Sequence, residues 1–208
     1  MLKLFYSLGA CSLASHIALE EAGVPYELAR LNFKADDQRK PEYLKVNPKG
    51  RVPALVTDRG ILTESPAILA YIAQSYPAAK LAPSDPFDFA RAQALNSYLC
   101  STVHVSHAHR VRGNRWVDDP AAIEEMQRKV PETVGAAFAL IENGMLEGPW
   151  VLGKDYSICD GYLFTMAQWL EGDGVDLSKL PRVMDHRARV AERLAVSRAV
   201  AEELRPAD

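Results

Sequence analysis

Residues 2–23 read LKLFYSLGACSLASHIALEEAG. The apolar run Leu2–Tyr6 has the character of a short buried strand, and Ser7 to Ala10, with Gly9 inside, reads as a tight turn. From Ser12 to Ala22 apolar residues return at helical spacing (Leu13, Ile17, Ala18), acids follow at Glu20 and Glu21, and Gly23 closes the helix. A strand–turn–helix of this kind places Cys11 at or just before the first helical turn. Unpaired N–H groups and the helix dipole favour an anion there, and a thiolate so placed can have a pKa well below the free value of about 8.5. Cysteine is equally a small residue that proteins commonly bury, and position alone does not separate the two readings. A dithiol redox motif is absent, because the third residue after Cys11 is Ala14. The Gly-x-Gly-x-x-Gly dinucleotide pattern is absent from the turn as well.

Outward from this stretch, Tyr26–Leu31 reads as a second strand and RKPEYLKVNPKG (39–50) as a short helix or turn closed by Pro48 and Gly50. RVPALVTDRGILTES (51–65) gives two short strands around Asp58-Arg59-Gly60, a hairpin signal. Pro66 to Tyr76 is an apolar helix, with Pro66 suited to a first turn where its missing N–H costs nothing. The order β-α-β-α-β-β-α implies a small mixed sheet with helices packed on it. YPAAKLAPSDPFD (76–88) contains a linker, and beyond it the periodicity is helical in four segments: 87–112, 121–145, 159–170 and 180–204. The expected division is residues 1–79, a linker at 80–86, and an all-helical domain at 87–208.

Composition narrows the function class. The chain of 208 residues is 48% hydrophobic and 25% charged, an ordinary globular balance with material for a sizeable core. Its 24 basic and 27 acidic residues are well mixed and net to −3, which argues against a nucleic-acid surface. Neither a membrane span nor a signal peptide is legible. Three scattered cysteines, Cys11, Cys100 and Cys159, do not make a disulfide framework, so a cytoplasmic setting is expected.

Two further segments carry chemistry. Val52-Pro53 lies at the mouth of a strand, where proline is tolerated only at a first or edge position. A cis bond there would turn the Val52 N–H and C=O outward to pair with an extended peptide. Glu64 and Ser65 precede a helix: the serine hydroxyl and helix N-terminus can take a carboxylate and Glu64 an amine, so together they can grip an α-amino acid end group. Ser and Glu also serve simply as helix caps. In NSYLCSTVHVSHAHRVRG (96–113), Ser97, Cys100, Ser101 and His104 fall at i, i+3, i+4 and i+7, a polar stripe beside the apolar stripe Leu95, Tyr98, Leu99 and Thr102. His107 competes with His104, and either can be a purely structural histidine. No metal is expected from His104, His107 and His109, which lack a carboxylate or cysteine at matching spacing. Ser157 with Asp160 three residues on has the form of a capping box.

Taken together, these segments resemble the glutathione transferase superfamily over essentially the whole chain. FYSLGACSLASHIALEEAG, VNPKGRVPAL and YSICDGYLFTMAQW are most similar to its bacterial beta class. The resemblance implies a thioredoxin-like N-terminal domain, a C-terminal helical bundle, a homodimer, and a detoxifying enzyme that uses glutathione as co-substrate with no other cofactor. It implies that Cys11 lies beside the glutathione sulfur, that Val52, preceding a cis Pro53, pairs with the cysteinyl backbone, and that Glu64 and Ser65 bind the γ-glutamyl end. Ser101 and His104 are implied on the helical side, with His104 near the thiol. Lys34, ahead of Arg39 and Lys40, is implied at the glycine carboxylate, and Ser157 and Asp160 are implied as a structural cap. Tyr6 and Ser12 sit near where other classes keep a thiol-activating hydroxyl. The activity implied is conjugation of glutathione to small hydrophobic electrophiles. Thiol–disulfide exchange or peroxide reduction through a Cys11 mixed disulfide, and ligand binding without turnover, are the alternatives.

Overall fold

The computed structural model describes residues 1–205; Pro206 and the end of the expected 87–208 domain lie outside it. Two compact units form: Met1–Ala90 together with the chain from Ala191, and Arg91–Val190.

In the first unit, β1 (Leu2–Tyr6), α1 (Leu13–Ala22), β2 (Tyr26–Arg30), α2 (Pro41–Leu44), β3 (Ala54–Thr57), β4 (Gly60–Thr63) and α3 (Ser65–Ser75) follow the expected β-α-β-α-β-β-α order. The four-stranded sheet runs β2-β1-β3-β4, with β1 parallel to β2 and the other pairs antiparallel. This is the thioredoxin-like arrangement that the resemblance implies. The pairing Leu28–Leu4–Leu55–Leu62 forms one row across the sheet. Side chains alternate faces along each strand, so the adjacent row Ala29–Phe5–Ala54–Thr63 lies on the other face. There Phe5 meets Tyr43 of α2 with ring centroids 5.3 Å apart, and Leu31, Tyr43, Val52 and Ala54 form a buried cluster. Helices α1 and α3 pack against each other and bury Ile17, Leu19, Ile68, Leu69 and Ile72.

The expected single helix over 180–204 is two: α8 (Pro181–Ala191) and α9 (Leu194–Glu203). Arg193 adopts extended backbone, and its guanidinium binds Glu21 of α1 through Nε at 2.5 Å and a second nitrogen at 2.8 Å. Helix α9 packs on α1, so this last segment joins the first unit instead of completing an 87–208 helical domain. The contact is polar at its centre. His16 is fully buried, with Nδ1 3.3 Å from Glu203 Oε1 and Nε2 2.9 Å from the Tyr26 hydroxyl.

In the second unit, from Arg91, the chain is helical: the rest of α4 (Pro86–Tyr98), then α5 (His104–Arg112), α6 (Pro120–Leu140), α7 (Ile158–Ala167) and α8. Its core includes Leu99, Val103, Val134, Phe138, Ile141, Leu163 and Val183. A π turn, Leu99–Val103, joins α4 to α5 without interrupting the helix. Ser157 accepts from the Cys159 N–H and Asp160 accepts from the Ser157 N–H, the capping box expected at the start of α7. Among the described residues no helix is long and apolar enough to cross a membrane.

Candidate active site

In the first unit, β1 ends and β3 begins at the same end of the sheet, since Phe5 pairs with Ala54. This brings the turn after Tyr6 beside the segment that enters β3. Gly9, at φ +70°, lets the turn close, and Leu13 N–H and Ala14 N–H donate to the carbonyls of Ala10 and Cys11 as α1 begins. Cys11 is thereby held against Val52, and its thiol donates to the Val52 carbonyl over 3.4 Å. The Val52-Pro53 bond is cis. Val52 N–H has no hydrogen-bond partner among the described residues.

What fixes Val52 is a clamp one residue earlier. The Arg51 carbonyl accepts from the Tyr43 hydroxyl at 2.6 Å and from Asn47 Nδ2 at 2.7 Å. Asn47 Oδ1 in turn accepts from the Lys49 N–H at 3.2 Å, and Gly50 turns the chain at φ +61°. Burial pushes the Tyr43 phenol up to about 12; its hydrogen bond with Asn47 opposes the rise, and the nearby Cys11 adds to it. Tyr43 therefore stays protonated as a donor near neutrality. Sequence reading passed over this clamp, although the Asn-Pro-Lys-Gly turn was its visible trace.

Glu64 holds a φ of +75°, a region that residues other than glycine occupy at a cost of order 1–3 kcal/mol. Its carboxylate is half-exposed and paired with Lys49, which also donates to Thr63 Oγ1 at 2.7 Å. Ser65 is buried at the first turn of α3, and its hydroxyl has no partner among the described residues. Of the loop cations, Lys40 is committed to Asp37 Oδ1 at 2.7 Å. Lys34 and Arg39 are exposed and in no ion pair among the described residues.

The two hydroxyl alternatives to Cys11 are turned away. Ser12 is fully buried, its oxygen bonded within the turn to Ser7 N–H at 3.2 Å and Ser7 O at 3.4 Å. Tyr6 lies on the opposite face of β1 from Phe5, its ring 6.2 Å from that of His16. Burial, and then Glu203, raises its phenol above the ordinary range.

In the second unit, the stripe Ser97, Cys100, Ser101 and His104 is exposed or half-buried, while Leu95 and Leu99 are buried. The π turn adds a residue between them: His104 N–H donates to Leu99 O, five residues back. His107 is buried, its Nδ1 2.8 Å from an Asp173 oxygen and its ring stacked 4.0 Å from that of Trp169. His109 packs edge-on against Trp116. His104 is half-buried beside Trp169, with ring centroids 5.1 Å apart. Cys159 is fully buried, its thiol 3.4 Å from the Ala92 carbonyl, and burial followed by Asp160 pushes it up to about 12.

Comparison with known proteins places this geometry. Residues 1–74 match the family described as glutathione S-transferase, N-terminal domain. The chain is 33% identical over 205 residues to a glutathione S-transferase of Escherichia coli O157:H7, covering 97% of this chain and 98% of the relative. The chain belongs to the glutathione S-transferase family. It is an enzyme of that family, and its nearly full-length match extends the kinship through both units. A maleylacetoacetate isomerase of Pseudomonas aeruginosa is 32% identical over 213 residues, covering 100% of this chain and 97% of the relative. Among solved structures, a glutathione transferase homologue from Sulfitobacter with bound glutathione is 42% identical, with a TM-score of 0.95 and 99% of each chain covered.

Proposed function

We propose that this transferase binds glutathione along Val52 and passes its thiolate to small hydrophobic electrophiles, in the manner of the bacterial beta class. The observation that carries the reading is the Cys11 thiol 3.4 Å from the Val52 carbonyl, next to a cis proline. An extended tripeptide can pair with the free Val52 N–H and with the carbonyl, whose second lone pair remains available. Ser65 and the start of α3 suit the γ-glutamyl carboxylate, and Glu64 suits its amine once Lys49 yields. Lys34, ahead of Arg39, serves the glycine carboxylate, while Lys40 is already paired with Asp37. The glutathione thiol gives its proton to solvent water, a sulfur lone pair of the thiolate forms the new C–S bond, and the bonding pair of the broken bond departs with a leaving group such as halide. Fixed dipoles at the start of α1 stabilise the thiolate. His104 and Ser101 are retained for the reaction, and His107 is not, being committed to Asp173. Homodimeric assembly, a cytoplasmic setting and a role in detoxification complete the reading.

A second reading is glutathione-dependent isomerisation, favoured by the full-length similarity to the Pseudomonas isomerase. It shares the first step, attack of the thiolate on an electrophilic carbon, and differs in expelling glutathione again. Initial rates with an activated aryl halide, in wild type and in the Ser65→Ala and Glu64→Gln variants, test the site. The KM for glutathione rises roughly tenfold for each, the effect of about 1.4 kcal/mol of lost hydrogen bonding, while kcat changes little. Turnover no faster than the spontaneous reaction, or an unmoved KM in both variants, rejects it.

A further inference from the structure

Away from the glutathione site, the contact between α1 and α9 holds a group of metal-ligating side chains that the catalytic reading does not use. His16 and Glu20 stand at i and i+4 on α1, hence on one helix face, and Glu202 reaches the same point from α9. One ligand atom from each lies within 4.8 Å of the others. His16 Nε2 to Glu202 Oε2 is 3.4 Å. Zinc–nitrogen and zinc–oxygen bonds of about 2.0–2.2 Å set tetrahedral donors roughly 3.3–3.6 Å apart, so this pair already stands at a ligand–ligand spacing.

Behind the imidazole, Nδ1 is 3.3 Å from the carboxylate of Glu203, whose side chain is 3% exposed. A carboxylate that accepts the Nδ1 proton orients the ring and presents Nε2 as the metal-binding lone pair. In front of it, the Tyr26 hydroxyl donates to Glu20 Oε1 at 2.5 Å and lies 2.9 Å from Nε2 and 3.5 Å from Glu202 Oε2. The phenol thus gathers the three donors around one point. The fully buried ring of His16 makes this more than a patch of surface acids.

We propose that His16, Glu20 and Glu202 bind a zinc ion that clasps α9 to α1, with Glu203 orienting His16 from behind. A divalent cation there meets the carboxylates of Glu20 and Glu202, with Glu203 behind His16 also facing the Arg30 guanidinium, and it shifts the Tyr26 hydroxyl from its present bridging position. The nitrogen-and-carboxylate donor set suits zinc over the harder magnesium and calcium, which prefer oxygen alone.

The test is calorimetric titration of zinc into the full chain after chelation and removal of the chelator, paired with thermal melting. Because His16 is fully buried, Glu20→Gln and Glu202→Gln, which sit at partly exposed positions, are the variants that decide. Wild type takes up about one zinc per chain and melts higher with zinc; each variant binds at least tenfold more weakly, and the double variant shows no zinc-dependent rise in melting. Absence of stoichiometric uptake by wild type at millimolar zinc overturns the proposal. So does a double variant that binds and melts as wild type does, since the zinc then sits on other side chains such as the thiols.

Discussion

Asp160→Ala removes a carboxylate that four groups share. Oδ1 accepts from Val151 N–H at 2.7 Å and from His186 Nε2 at 2.8 Å; Oδ2 accepts from Ser157 N–H at 2.7 Å and from the Ser157 hydroxyl at 3.0 Å. Among the described residues His186 Nδ1 has no partner, and Nε2 faces Asp160 Oδ1, so Nε2–H is the donor to that carboxylate. Asp160 and His186 are fully buried, and the alanine variant leaves an imidazole and two backbone N–H groups without acceptors in a dry interior. Loss of a helix cap alone costs about 0.5–2 kcal/mol, and each buried donor left without an acceptor about 1–3 kcal/mol. One carboxylate serves the cap and the stranded donors alike, so these losses overlap, and the expected total is roughly 3–5 kcal/mol. Urea unfolding followed by circular dichroism measures it, with Ser157→Ala as the milder reference at about 0.5–2 kcal/mol. A loss below about 1 kcal/mol for Asp160→Ala, with the unfolding slope unchanged, refutes the reasoning.

Replacing Cys11 with alanine is expected to abolish reduction of glutathione mixed disulfides while conjugation to an aryl halide persists; equal retention of both activities removes Cys11 from the chemistry. Cys159, with its thiol pushed up to about 12, stays protonated at ordinary pH. A raised thiol pKa means thiolate appears only as pH climbs toward that value, so alkylation near about pH 8 labels Cys159 only after denaturant is added. Labelling of Cys159 in the native protein at the rate of a free thiol contradicts its burial.

The local signals in the sequence survived folding well. The strand–turn–helix around Cys11, the hairpin at Asp58-Arg59, the helical second half and the Ser157–Asp160 cap each depend on neighbours within a few residues, and each formed. Partners distant in sequence decided the rest. Nothing in ARVAERLAVSRAV breaks a helix by propensity; the break at Arg193 follows from Glu21, 172 residues away. The same contact assigns the last helix to the first unit. The π turn at Leu99–Val103 leaves no glycine or proline as a marker, so a spacing of 3.6 residues carried the polar stripe past it one residue out of step. His104 and His107 look alike in sequence, and Asp173, 66 residues on, separates them. The Lys49–Glu64 pair and the positive φ of Glu64 lay equally beyond any local pattern.

A crystal structure of the protein soaked with glutathione tests the central claim most directly. The account predicts the cysteinyl backbone of glutathione paired with Val52, the γ-glutamyl end at Glu64 and Ser65, and the glutathione sulfur within about 4 Å of Cys11 Sγ. A sulfur more than about 6 Å from Cys11, or a tripeptide that leaves Val52 unpaired, contradicts it.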